Sequence, residues 1–328
     1  MNNISHPDMS IDDQAIVRAE NLSKRFEAVV AVDRISFEVH TGEIFGFLGP
    51  NGAGKTTTIN MLTGLARMST GSIFINGIDC DKDHKTAQSF IGVVPDESNL
   101  YDDLSGYENL CFCGALYGMR KELRQKRATE LLKHFGLWDS SNKLFKHYSK
   151  GMKRKLTIAA GIIHSPSLLF LDEPTTGIDV SSARQIRTMI RDLNQEGVTI
   201  FLTTHYLEEA ERLCDRIAFI VNGKIIRLAT LDELVQDFES YETVEFIFES
   251  ENDKAIPTSV LQSRFPDYKF KPISPNSLYI SSAGKLELSK LIAYCEENEM
   301  KLYEAKRVKP SLEDIFVNIT EEGERHVS

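Results

Sequence analysis

Residues 44–57 read Ile-Phe-Gly-Phe-Leu-Gly-Pro-Asn-Gly-Ala-Gly-Lys-Thr-Thr, and they constrain this chain more than any other stretch. Ile44 to Leu48 is an apolar run of strand length. Gly49, four residues and then Gly54-Lys55-Thr56 match the phosphate-loop pattern G-x-x-x-x-G-K-[ST]. A polyphosphate needs many donors converging on it with no side chains in the way, and the glycines let the backbone N–H groups point inward. The loop opens a helix from about Lys55, whose N-terminus favours an anion. Gly49, Pro50, Asn51, Gly52, Ala53, Gly54, Lys55, Thr56 and Thr57 are therefore the candidate cradle. Lys55 is placed to reach the β- and γ-phosphates and the Thr56 hydroxyl to ligate Mg²⁺. The plainer alternative is a glycine-rich turn joining strand to helix. By itself the loop does not choose among kinases, GTPases and transport ATPases.

At 328 residues the chain is long for one domain. Its 41% apolar and 26% charged residues are globular values. Lys plus Arg is 38 against 48 Asp plus Glu, a balance of −10, which argues against a nucleic-acid surface spread over the whole molecule. Five scattered cysteines suit a reducing compartment and read most simply as small buried apolar residues. No stretch approaches the roughly 18 consecutive apolar residues of a membrane helix. The N-terminus, with Asp8, Asp12 and Asp13, is not a signal peptide. The expectation is a soluble chain whose membrane role, if any, runs through a partner.

Residues 1–14 are polar and expected to fray. Strands are expected at Ala15–Leu22, Ile35–His40, Gly71–Ile75, Ile91–Val94, Leu168–Leu171, Val198–Thr203 and Arg216–Val221. Helices are expected between them, including Glu122–Phe135 with Leu123, Leu131 and Phe135 toward one side. Strands alternating with helices argue an α/β fold with a mostly parallel sheet. From Tyr241 the order becomes β-α-β-β-α-β, the split βαβ plan of a ferredoxin-like domain, followed by a helix at Pro310–Thr320. We therefore expect a flexible 1–14, a nucleotide-binding domain over 15–240 and a second α+β domain over 241–328. Phe26 is either a stacking platform for a flat base or a core aromatic.

Leu168–Leu171 ends in Asp172-Glu173, which sets two carboxylates at the C-terminal edge of a buried strand, where parallel sheets bind ligands. Asp172 can hold Mg²⁺, and Glu173 can polarise an attacking water. With these residues in view, the stretch from about 14 to 230 resembles the ATP-binding-cassette (ABC) ATPases. Five motifs occur in order: the phosphate loop, Tyr148-Ser149-Lys150-Gly151-Met152 in place of the L-S-G-G-Q signature, the acid strand, the run Pro174–Asp179, and His205 after a strand. Lys150 and Met152 depart from the signature, and Asp96 stands where the family has Gln.

The resemblance implies a P-loop cassette with a small antiparallel β subdomain and a helical subdomain. It implies ATP and Mg²⁺ as cofactors, with Thr56, Asp172 and Asp96 toward the metal. Glu173 and His205 become the catalytic pair, Phe26 stacks on adenine, and Asp179 lies at the nucleotide. Ser149 and Gly151 close on the ATP held by a second copy in a head-to-tail homodimer. Leu312-Glu313-Asp314-Ile315-Phe316 is similar to the tail of ATPase subunits of bacterial drug exporters of the daunorubicin-resistance type, whose C-terminal domain is regulatory. The implied protein is the ATPase subunit of an exporter, held at the cytoplasmic face of the cell membrane by a separate multi-span permease. A soluble ABC ATPase acting on ribosomes or nucleic acid is the competing reading.

Overall fold

The apolar runs become neighbouring strands of one buried sheet. Its order is β10-β9-β3-β8-β7-β6, where β3 is Ile44–Leu48, β6 Ile91–Val94, β7 Leu168–Asp172, β8 Thr199–Thr204, β9 Arg216–Val221 and β10 Lys224–Thr230. β3 pairs in parallel with β8 and β9, and β7 in parallel with β6 and β8. Every residue of β3, β7 and β8 is buried. Parallel strands covered on both faces read this way, as continuous apolar runs rather than alternations.

A second, antiparallel sheet of order β2-β1-β4-β5 comprises Ala15–Phe26 (β1), Val29–His40 (β2), Thr70–Ile75 (β4) and Ile78–Asp79 (β5). β1 runs past its expected end at Leu22, because Lys24, Arg25 and Phe26 find partners in Val32, Val30 and Val29. Phe37 of β2 meets Phe45, Phe47 and Phe201 at centroid distances of 5.7, 5.7 and 6.0 Å. Ring clusters of this kind bury large apolar area in fixed geometry. They pack β3 against β2 and β8.

Helix α1 (Lys55–Leu62) follows β3, and α2 (His84–Ser89) precedes β6. A helical group of α3 (Gly106–Leu116), α4 (Lys121–His134) and α5 (Lys150–Gly161) packs together between β6 and β7. Ser105 and Glu108 form a reciprocal capping box at the start of α3. In α4, Leu131 and Phe135 are buried but Leu123 is exposed, against expectation. At 3.6 residues per turn Leu123 stands roughly 80–120° around the helix from the other two. Helices α6 (Val180–Gln195) and α7 (Leu207–Leu213) flank β8. Cys80, Cys214 and Cys295 are buried as expected, whereas Cys111 and Cys113 are only half-buried.

The chain divides into compact units between Ala229 and Thr230, ahead of the boundary expected near residue 240. The structure, a computed structural model, describes residues 15–234, 242–249, 258–282, 284–308 and 316. The expected segment 1–14, the surroundings of residue 240 and the expected helix at 310–320, apart from Phe316, lie outside them. Among its described residues the second unit contains β11 (Glu242–Phe248), α8 (Thr258–Arg264), β12 (Tyr268–Ser274), β13 (Ser277–Ser282), α9 (Leu288–Glu297) and β14 (Leu302–Arg307). Its sheet order is β12-β13-β11-β14 with antiparallel neighbours. Val244, Phe246, Leu261, Leu278 and Leu291 form its separate core.

Candidate nucleotide site

Strand register decides which side chains meet. Leu48 lies opposite Thr204, and Asp172 opposite Thr203. The phosphate loop, the acid pair and His205 thus leave three adjacent strands at one edge. β6 brings the loop with Asp96 alongside, since Val94 lies opposite Leu171. A cleft at this edge is lined by Asn51, Gly52, Gly54, Lys55, Thr56, Thr57, Asp96, Glu173 and His205, together with Ala31 and Thr176.

Gly54 shows why the loop cannot carry ordinary residues. Its φ is 107°, and an added Cβ would lie 2.5 Å from the Ala31 carbonyl oxygen. Lys55 is 6% exposed. Its ammonium donates to the carbonyls of Gly49 at 2.8 Å and Pro50 at 3.3 Å, and lies 3.3 Å from Oε1 of Glu173. A buried ammonium needs such partners.

Glu173 is the centre of the arrangement. Its Oε2 accepts from Thr176 Oγ1 at 3.1 Å and lies 2.8 Å from His205 Nδ1. Its backbone has φ of 48°, a left-handed conformation that a glutamate seldom adopts. Its N–H donates to the Thr203 carbonyl at 3.1 Å. Asp172 accepts from the Thr203 hydroxyl and is 5% exposed. Asp96 is held above the usual carboxylate range by partial desolvation, which Arg154 opposes and Asp172, Glu173 and Glu97 reinforce.

The remaining expected residues lie elsewhere. Phe26 is half exposed beside the β1–β2 turn, with the Lys24 ammonium 4.8 Å from its ring centroid, so the core-aromatic alternative is excluded. Ser149 caps α5, its Oγ accepting from the Met152 N–H at 3.2 Å. Asp179 caps α6 in the same way, accepting from the Ser182 N–H at 2.9 Å. A Cβ on Gly151 would lie 2.5 Å from Ser182 Oγ, so close helix approach alone requires glycine there. Ser149, Gly151 and Asp179 are not among the residues lining the cleft. Sequence reasoning missed Arg154, which lay unnoticed in a basic run, and Glu209. The Glu209 carboxyl is buried, accepts from Thr175 Oγ1 at 2.7 Å, and is pushed above its usual range by that burial.

The donor set fits a magnesium–nucleotide. The cleft offers an ammonium, the exposed hydroxyl of Thr56, loop N–H groups at the start of α1 and an acid edge. Among the described residues no cluster of three His, Cys, Asp or Glu could hold a metal alone. Mg²⁺ typically relies on one or two carboxylates with phosphate oxygens and water.

Comparison with known proteins agrees with this geometry. The family model described as "ABC transporter" matches residues 32–176. The linearmycin resistance ATP-binding protein LnrL of Bacillus subtilis is 34% identical over 93% of this chain and 98% of its own length. The doxorubicin resistance ATP-binding protein DrrA of Mycobacterium tuberculosis is 35% identical over 95% of both chains. Among solved structures, an ATP-binding subunit of an ABC transporter aligns with a TM-score of 0.62 and 31% identity, over 68% of this chain and 93% of that one. A dimeric post-hydrolysis ATP-binding cassette bound to ADP and Pi aligns with a TM-score of 0.60 and 27% identity, over 66% and 98%.

Proposed function

Because the chain belongs to the ATP-binding proteins of the ABC transporter family, and is an ATP-hydrolysing subunit of exporter type, we propose how its residues divide the work. ABC subunits of this kind dimerise and pair with membrane permeases. Here the dimer is a head-to-tail pair of identical copies, and the permease is a separate multi-span protein. No helix among the described residues is long and apolar enough to cross a membrane. In this reading the permease holds the subunit at the cytoplasmic face of the membrane. The exposed Tyr101, Phe112, Leu116 and Tyr117 on and beside α3 offer it an apolar seat. The second unit serves dimerisation or regulation.

The observation that carries the reading is the convergence of Lys55, Glu173 and His205 on one edge. Glu173 is the general base that takes a proton from water. His205, 2.8 Å from its Oε2, fixes the carboxylate's orientation. Lys55 supplies positive charge where the phosphoryl group gains negative charge. Thr56 and Asp172, with Asp96 beside them, would hold Mg²⁺, and Phe26 offers a ring face to adenine. Bound MgATP supplies the transferable phosphoryl group and a cation that spreads its charge. The two proteins above, named for resistance to linearmycin and doxorubicin, suggest a drug as cargo. A ribosome- or nucleic-acid-directed ATPase is not favoured, since relatives matching nearly the whole chain are named as resistance proteins.

Glu173→Gln tests the base directly. Turnover should fall about 10³-fold, roughly 4 kcal/mol of barrier, while ATP binding measured by equilibrium dialysis persists. Wild-type turnover in this variant would remove Glu173 from the mechanism.

A further inference from the structure

Arg154 is 6% exposed, yet its hydrogen bonds among the described residues reach no carboxylate. It donates instead to backbone carbonyls. Nε reaches Pro174 at 2.8 Å; Nη2 reaches Asp172 at 2.7 Å and Glu173 at 2.6 Å; Nη1 reaches Asp96 at 3.1 Å and also Pro95. A guanidinium has five N–H donors in a fixed plane. All five have an acceptor here.

Those acceptors belong to two loops. Pro95 and Asp96 leave β6, and Asp172 to Pro174 end and leave β7, the strand beside it. Carbonyls beyond a strand end have no ladder partner and must find a donor elsewhere. A single side chain from α5 satisfies both loops at once. Ser98 adds a second tie to the same helix, its Oγ lying 2.9 Å from Thr157 Oγ1. The charges of Asp96, Asp172, Glu209 and Glu173 offset part of the guanidinium's lost hydration.

The conformation of Glu173 gives this clamp a purpose. A glutamate at φ of 48° relaxes unless its flanking peptides are held. Thr203 holds the N–H side and Arg154 the C=O side. We propose that Arg154 is a positioning residue for hydrolysis. It keeps the Glu173 peptide left-handed and locks it to the loop carrying Asp96, so that a shift of that loop is felt at the base. The proposal rests on Glu173 being the base, as assigned above.

The test uses Arg154→Lys and Arg154→Gln in the full-length chain, alone and combined with Glu173→Gln. Lysine keeps the charge but gathers its three donors on one nitrogen. Arg154→Lys leaves at least two of the five carbonyls without a donor, so it should melt a few degrees lower, yet bind ATP with nearly unchanged affinity. Its kcat should fall about 10²-fold, the scale of an ångström of misplacement, and fall further in Arg154→Gln. In the Glu173→Gln background, Arg154→Lys should cause no further loss, because it acts through a base already removed. Unchanged kcat in Arg154→Lys would overturn the proposal. So would an equal loss of kcat and ATP affinity, or an additive loss in the double variant. If Arg154→Gln does not fold, Arg154→Lys decides alone. Wild-type turnover in Glu173→Gln alone would instead locate the failure in the assignment of the base, and this role of Arg154 would fall with it.

Discussion

Two glycine-bearing helix N-termini of the first unit, those of α1 and α5, are built differently. At Gly49–Thr56, Lys55 contacts Glu173, Glu173 contacts His205, and the loop lines a cleft with them. At Tyr148–Met152, Ser149 caps its own helix and Gly151 is pressed against Ser182, with neither in that cleft. The first is a site that one chain assembles by itself. The second has every local contact a helix start needs, and no ligand-facing partner from its own chain among the described residues. The difference fits a half-site completed by another copy.

Replacing Ser149 by aspartate should sharpen the comparison most. Aspartate caps as well as serine, so melting should hold. A carboxylate placed against the phosphates of the other copy should lower turnover at least about 10²-fold, some 2.7 kcal/mol. An equal loss of melting temperature would mean that Ser149 is a cap and nothing more. Gly151→Ala addresses packing instead. Its Cβ meets Ser182 Oγ, and chemical denaturation should show a cost of about 1–3 kcal/mol, partly recovered by Ser182→Gly. No recovery would deny the helix contact.

The smallest effect belongs beyond the far end of α5. His164 stacks on Tyr117 at 3.5 Å, its Nε2 lies 2.9 Å from the Ile91 carbonyl oxygen, and burial lowers its pKa below the usual 6.5. A lowered folded-state pKa gives stability that is complete above pH 6.5 and lost as pH falls through the folded value. Wild-type melting temperature should therefore decline below that pH, and His164→Phe should flatten the decline. An unchanged slope would exclude His164 as its source.

The edge chemistry was legible because it is written in contiguous residues. Gly49–Thr56 directly succeeds the buried strand Ile44–Leu48, Asp172-Glu173 closes the apolar run from Leu168, and parallel register does the rest. The features that stayed hidden depend on partners remote in sequence. Arg154 looked like one more cation in Lys150–Lys155, since nothing local says that its partners lie at 95–96 and 172–174. The left-handed Glu173 has no sequence mark either, unlike a glycine. Phe26 was ambiguous until strand pairing carried β1 to its exposed end. The exporter-like tail motif, apart from Phe316, lies outside the described residues.

The central claim is that Ser149 serves the phosphate loop of the other copy, and one measurement tests it. Lys55→Ala and Ser149→Arg copies carrying different tags are co-expressed with the permease, and the doubly tagged complex is isolated. A head-to-tail pair then contains one wholly intact composite site, so ATPase should return to about half the wild-type rate per complex. Each singly mutated homodimer should stay near zero. If Ser149 instead served its own loop, every site in the mixed complex would be broken, and activity would remain at the level of the two parents.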